Sequence, residues 1–311
     1  MTANTTQPTP SEVSKESYSP NSESSKDLVR EAANIKPHLV IEPSRGFRSL
    51  KLKELWEFRD LITTLGMRDV KLIYKQTLLG VAWVVMQPLI GAGIFTFVFG
   101  VLADMPSGET PYFVFSLVGM TAWGCFAAVL NASSMVMVNN AHLVSKIYFP
   151  RLVLPIASAF QPVVNLGVSS VLMIALLIVY QIGPSWQILL APLWILAMLM
   201  LALGVGFVCC SIMVRYRDLR YIIPVAMQFL LYASPVGYSV AAVDEKVPQA
   251  LASVYMLNPI ASLLEGFRWS VLGTGQVDPI WIGYSLACAF LLFFGGAFLM
   301  RRAEKQFADV I

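Results

Sequence analysis

Apolar residues run along this chain in long blocks. Six of them, at about 80–103, 112–134, 152–180, 188–214, 221–240 and 279–300, are free of charge. Each has the roughly 20 residues a helix needs to cross a hydrocarbon core about 30 Å thick. The second is the most diluted, by Gly119, Gly124, Asn131 and serines. Pro88, Pro162, Pro224 and Pro235 fall inside these blocks, which is tolerable where neighbouring helices re-satisfy the freed backbone groups. The pattern predicts an all-α polytopic membrane protein with six transmembrane helices.

Ahead of the first block the period changes. Leu55, Phe58, Ile62 and Leu65 recur at helical spacing, with Lys53, Glu54, Glu57 and Asp60 mostly on the opposite side. With Trp56 and nearby basic residues, this predicts an N-terminal amphipathic helix lying in the membrane interface. Packing on a partner protein suits the same pattern. Residues 1–46 carry seven serines before Lys26, scattered prolines and mixed charge, and read as a disordered cytosolic tail. They hold no apolar stretch of the kind a secretory signal needs. The transmembrane domain is expected over 47–311.

Two connections stand out. The 135–151 loop is mostly apolar, with Asn139 and Asn140 near its start and Pro150 near its end, and is expected to be short and helical. In the 241–278 segment, Asn258 followed by Pro259 is a good helix start. Ile260–Leu272 is largely apolar and Gly273 is a plausible stop. Thirteen residues reach only about 20 Å, so this piece is expected to dip into the membrane and return as external re-entrant helices between spans five and six.

Composition narrows the function. Of 311 residues, 57% are apolar and 13% charged, about half the charge of an ordinary soluble domain. A net charge of +3 is too small to argue for nucleic acid. Placing the N-terminus inside puts 20 of the 22 Lys and Arg residues in the cytosol, leaving only Lys246 and Arg268 outside. The positive-inside bias therefore puts both termini in the cytosol.

The chemistry is sparse. No Gly-Lys pair occurs, so there is no phosphate-binding P-loop. With His38 and His142 the only histidines, a His-based metal site cannot be assembled, and the four cysteines sit in apolar runs. Charge-free spans argue against ion coupling through buried carboxylates, so the energy for any transport must be delivered from elsewhere. Glu265 and Arg268, three apart, read first as an ion pair that neutralises both near lipid, and second as a substrate contact. Arg68 and Lys75, before the first span, are topology anchors or headgroup contacts. Phe113, Trp123, Phe126, Tyr232 and Tyr238 read as interface-belt aromatics or, if they face a pore, as stacking surfaces for sugar rings.

Five segments resemble one family. RDVKLIYKQTLLGVAWVVMQP (68–88), KIYFPRLVLPIA (146–157), RYRDLRYIIP (215–224), SPVGY (234–238) and LNPIASLLEGFRWSVLG (257–273) resemble, in order, ABC-2-type permeases that export O-antigen, capsule or teichoic acid. The resemblance implies a homodimer bound to two copies of a separate ATPase subunit, with ATP and Mg held there and no cofactor on this chain. It implies that Asn139, Asn140, His142, Lys146 and Tyr148 lie near the ATPase-coupling contact. The 51–65 helix becomes the interfacial helix, and Asn258, Pro259, Glu265 and Arg268 fall in the external gate. The implied cargo is a glycan on a polyprenyl diphosphate, whose anionic headgroup Arg68, Lys71, Lys75 and Arg151 would attract by charge. The implied place is the bacterial cytoplasmic membrane. An exporter of small hydrophobic compounds fits less well, because such permeases often carry a large domain after the first span and here 104–111 is short. A membrane enzyme of glycan or lipid assembly is the remaining alternative.

Overall fold

The computed structural model describes residues 52–310, except 77–79, 109, 147–148, 184, 247 and 276. The 1–46 tail and Tyr148 lie outside the described residues. Everything regular among these residues is helical. A short α1 (Leu52–Glu57) leads into α2 (Arg59–Gln76), and α3 (Gly80–Phe95) continues as a π-helical stretch over Thr96–Leu102. Then come α4 (Tyr112–Asn139), α5 (Ala141–Lys146), α6 (Val153–Ser158) and α7 (Phe160–Val179). A 3-10 turn at Trp186–Leu190 opens α8 (Ala191–Met213). The chain ends with α9 (Leu219–Tyr232), α10 (Val240–Lys246), α11 (Gln249–Met256), α12 (Pro259–Leu272) and α13 (Pro279–Val310).

Five segments are long and apolar enough to cross a membrane: Ala82–Leu102, Tyr112–Asn139, Val153–Val179, Trp186–Met213 and Pro279–Glu304. A sixth is reached only if the pair α11 and α12, bent by 86°, counts as one span. The expected span over 221–240 differs: its helix, α9, has 14 residues and stops at Tyr232, which at 1.5 Å per residue covers about 21 Å. Pro235 supplies no backbone N–H to continue the ladder.

The central helix is α4. In its most apolar window 72% of residues are buried, against 11% for Ala82–Leu102, so the first apolar segment turns most of its surface outward while α4 is wrapped by its neighbours. It runs to Asn139 instead of breaking near 135. The polar residues that dilute it fold back on their own turn. Asn131 Nδ2 donates to Ala127 O at 2.8 Å, Ser133 Oγ to Val129 O at 2.7 Å and Ser134 Oγ to Leu130 O at 2.7 Å. These three side chains satisfy themselves on their own helix and give it no reason to break there, whereas the buried hydroxyls of Ser116 and Thr121, nearer its start, have no partner.

Two apolar clusters hold the bundle. The larger unites α4 with α7, α8 and α12 through Phe126, Met173, Leu201 and Leu264, all buried. The smaller joins Ile62 and Leu65 of α2 to Met137, Phe149, Phe207 and Met300. The amphipathic helix thus buries its apolar edge on its own bundle, while Thr63, Thr64, Met67, Arg68, Lys71 and Leu72 stay exposed. Helices α8 and α13 cross closely because glycine faces glycine: a Cβ on Gly296 would run into Gly204 O.

This crossing gives a test. A Cβ on Gly204 would fall 2.5 Å from Leu292 C and 2.6 Å from Phe293 N, so Gly204→Ala should lose about 1–3 kcal/mol of stability by overpacking. A Cβ on Gly167 in α7 meets nothing within 4 Å, and Gly167→Ala should be neutral or slightly stabilising through helix propensity. Thermal unfolding of the two purified variants in detergent measures both.

Candidate functional site: a buried arginine clamp and a basic face

Helix α12 starts and stops where the sequence says. Asn258 Oδ1 accepts from Ile260 N at 3.3 Å as its cap, Pro259 occupies the first turn, and Gly273 closes it in the left-handed region at φ 71°. Asn258 also reaches backwards: its Nδ2 donates to Ser234 Oγ at 2.9 Å and to Ala233 O at 3.3 Å. One side chain therefore caps α12 and ties down the turn after α9.

Arg268 does more in the same place. It is 1% exposed. Nη1 donates to Glu265 Oε2 at 2.6 Å, and Nη2 donates to Pro235 O at 2.5 Å and Val236 O at 3.0 Å. Its guanidinium carbon stands 4.0 Å from the centre of the Phe115 ring on α4. Only Nε is buried without a partner. Gly119 lets α4 approach this turn, since a Cβ there would run into Val236 O. Glu265 and Arg268 form the expected ion pair, yet the guanidinium is shared with three carbonyls, the third being Tyr238 O at 3.5 Å from Nη1, and with a ring, so the pair is a clamp between α12, the 233–238 turn and α4. Phe115 and the three carbonyls are the partners that sequence reading missed. A backbone carbonyl carries no sequence signal, and Phe115 is one aromatic among many.

An aromatic file borders the clamp. Phe95 and Phe99, on either side of the start of the π-helical stretch, have ring centres 5.4 Å apart, and Phe99 lies 5.9 Å from Tyr238. Tyr238 donates to Tyr232 O at 2.8 Å, and Tyr255 donates to Tyr238 Oη at 3.3 Å. Of the aromatics picked from sequence, Tyr232 is exposed and Tyr238 half-buried here. Trp123 and Phe126 pack together inside the larger core, 5.6 Å between ring centres, and Phe113 is half-buried beside them in sequence only.

The remaining predicted residues gather at the other end of α4. Asn140 caps it, its Nδ2 donating to Val136 O at 3.0 Å and its Oδ1 accepting from Arg68 Nη2 at 3.4 Å. Arg68 also pairs with Asp69 at 2.8 Å. Asn139, His142 and Lys146 are exposed on or beside α5. Lys71 and Lys75 are exposed on α2, and with Arg68 they follow a spacing that keeps them on one helix face. Arg151 is engaged elsewhere: Nη1 donates to Val144 O at 2.8 Å, the backbone N donates to Glu304 Oε1 at 3.3 Å, and Nε lies 4.0 Å from the same oxygen. It ties the segment after α5 to α13.

The clamp predicts a specific mutational pattern. Glu265→Gln or Arg268→Met alone strands a buried polar partner and should cost about 3–5 kcal/mol. The double variant Glu265→Leu/Arg268→Met should recover part of that loss. Exchanging the two charges should recover none, because a carboxylate at 268 would face the carbonyls of Pro235 and Val236. Detergent melting curves of the five proteins, the unaltered chain included, give the comparison.

The chain is similar over most of its length to known permeases. It is 26% identical over 260 residues to the O-antigen export system permease protein RfbA of Myxococcus xanthus, covering 84% of this chain and 98% of that protein. To two proteins of the same description from Klebsiella pneumoniae it is 24% identical over 268 residues, covering 85% of this chain and 100% of theirs. Residues 60–272, from the start of α2 to the end of α12, match the family described as ABC-2 type transporter. With more than half of its residues inside that match, the chain belongs to the ABC-2 type transporter family.

Proposed function

We propose that this chain is the transmembrane subunit of an ABC exporter that moves an O-antigen-like polysaccharide, linked to a polyprenyl diphosphate, across the bacterial cytoplasmic membrane. The observation that carries this reading is the end-to-end likeness to O-antigen export system permease proteins, across 98% and 100% of their length. The chain acts as a homodimer with two copies of an ATPase subunit, which binds the ATP and Mg. Both termini are cytosolic, so the end holding Asn140, Lys146, Arg151 and Glu304 faces the ATPase. Helix α2 lies along the interface, α9 with the turn after it is the shortened fifth passage, and α10 to α12 form a re-entrant gate on the outer side.

Two features suit the cargo. The exposed face of α2 forms a groove of about 590 Å³ in which Arg68, Lys71 and Lys75 alternate with Met67 and Leu72. Cationic and apolar groups together match a lipid with an anionic head and a hydrocarbon tail. The short 104–111 connection leaves no room for a large external domain, which separates this chain from many exporters of small compounds. For coupling, Asn140 joins α4 to α2 through Arg68, and a stroke received on α5 meets both helices at once.

Three experiments test the reading. Gentle extraction of the tagged chain from native membranes should bring down a P-loop ATPase at one copy per permease. Purification alone under several mild conditions would overturn the assignment. Replacing Arg68 and Lys75 together by Gln should lower glycan export by about tenfold or more, as expected for losing two phosphate contacts, with insertion and ATPase binding intact; unchanged export removes the headgroup role. A cysteine at Asn140 or His142 should crosslink to the ATPase subunit, whereas protection of those positions by lipid alone would contradict the coupling contact.

A further inference from the structure

A second cavity, of about 810 Å³, opens between α3, α4 and α7. Its lining is unusual for helices this apolar. Gln87, Asn131, Gln161 and Asn165 place four carboxamides around it, joined by the hydroxyl residues Thr121 and Ser169. No charged side chain is among the residues that line it. Asn131, Gln161 and Asn165 are half-buried and Gln87 is exposed at the cavity rim; a carboxamide withdrawn from water is costly unless it is hydrogen-bonded, and here much of that capacity is uncommitted. Asn131 spends Nδ2 on Ala127 O, leaving Oδ1 to accept. Asn165 Oδ1 accepts from Tyr74 Oη at 3.0 Å, leaving Nδ2 to donate. The side chains of Gln87 and Gln161 make no hydrogen bond to the described residues. The buried hydroxyl of Thr121 likewise has no partner.

The cavity therefore offers donors and acceptors together, without charge. Trp83, 57% exposed, and Trp123 add indole surface to the same wall. An ion would find no countercharge to offset its desolvation. A hydrocarbon tail would leave the amides unpaired. An uncharged ring bearing several hydroxyls both donates and accepts, and its C–H faces pack on indole. The position agrees with this chemistry. Gly80, at the start of α3, lines the cavity five residues after Lys75, and the Tyr74 hydroxyl that holds Asn165 belongs to α2. The amide-lined cavity begins where the cationic face of α2 ends.

The geometry points to this cavity as a subsite, within one copy of the chain, for uncharged sugar residues that follow the anionic headgroup gathered on α2. It rests on the export reading above and deepens it. The test places a cysteine at Gln161, or at Val171 on the exposed side of α7, in a chain whose four native cysteines are replaced. Maleimide labelling is then compared in native membranes from cells that assemble the lipid-linked glycan and from cells blocked in its assembly. The glycan should protect the cysteine at Gln161 and leave that at Val171 unaffected. Equal labelling at Gln161 in the two membranes overturns the inference. In parallel, Gln161→Leu/Asn165→Leu should lower export about tenfold by removing two hydrogen-bonding groups, while membrane level and ATPase binding stay normal, and Gln161→Asn should retain most of it. If the leucine variant exports normally while the Arg68 and Lys75 double variant does not, the cavity inference fails and the export reading stands. If depleting the unaltered chain leaves glycan export unchanged, the export reading itself fails.

Discussion

A guanidinium that is 1% exposed imposes a demand on everything around it. Removing such a charge from water costs several kcal/mol even after relaxation, and the surroundings must return that energy as contacts. Arg268 obtains them from Glu265 one turn away and from two parts of the chain that are distant in sequence, the carbonyls of the 235–238 turn and the face of Phe115. A desolvated cation over a ring contributes up to about 2 kcal/mol, and charge-assisted hydrogen bonds contribute about 1.5–3 kcal/mol each. None of these alone offsets the cost of burial. The arginine is tolerated only where α12, the turn after α9 and the start of α4 meet, and so it fixes that meeting.

The clamp also explains why α9 is short. By apolar content, 221–240 would make a full span. Inside that stretch, Pro235 removes a donor, and the carbonyls of Pro235 and Val236 point to Arg268 instead of continuing a ladder. Tyr112 adds its hydroxyl to Gly237 O. The backbone of the turn is thus satisfied by side chains from α4 and α12, the condition under which irregular backbone survives beside lipid. Length and hydropathy see the apolar run. They do not see that its carbonyls are claimed by a residue more than thirty positions away.

The same contrast runs through the rest of the molecule. Local signals were legible: the Asn258 cap, the proline after it and the left-handed Gly273 fix α12 to the residue, because caps and stops act within one turn. The first, third and fourth apolar blocks likewise became long helical segments with ends near those expected, since length and hydropathy are summed over many residues, and the last starts where expected while its helix runs on to Val310. Less legible was α4. Asn131, Ser133 and Ser134 look like dilution in one dimension and are self-satisfied in three, and the helix runs five residues further than the sequence suggested. The carboxamides were least legible. Gln87, Asn131, Gln161 and Asn165 lie on three helices, and only packing places them around one cavity. An uncharged polar residue inside an apolar run was the available signal, and it gains meaning only from the partners it meets.

Helix α4 joins these parts. Its first turns carry Phe115 and Gly119 against the clamp, its middle lines the amide cavity through Thr121 and Asn131, and its last residue is capped by Asn140, which accepts from Arg68. Over 28 residues it spans about 42 Å at 1.5 Å per residue, with no proline along it. A rigid rod of this kind cannot bend to absorb a displacement at Asn140; it has to tilt or slide, and either motion carries the cavity wall and Phe115 with it. Because Phe115 is the one aromatic face over Arg268 among the described residues, a moving Phe115 disturbs the contact that holds the 233–238 turn. Within the export reading, a displacement at the Asn140 end would be carried to the 233–238 turn by one continuous element, with the uncharged, amide-lined cavity along the way.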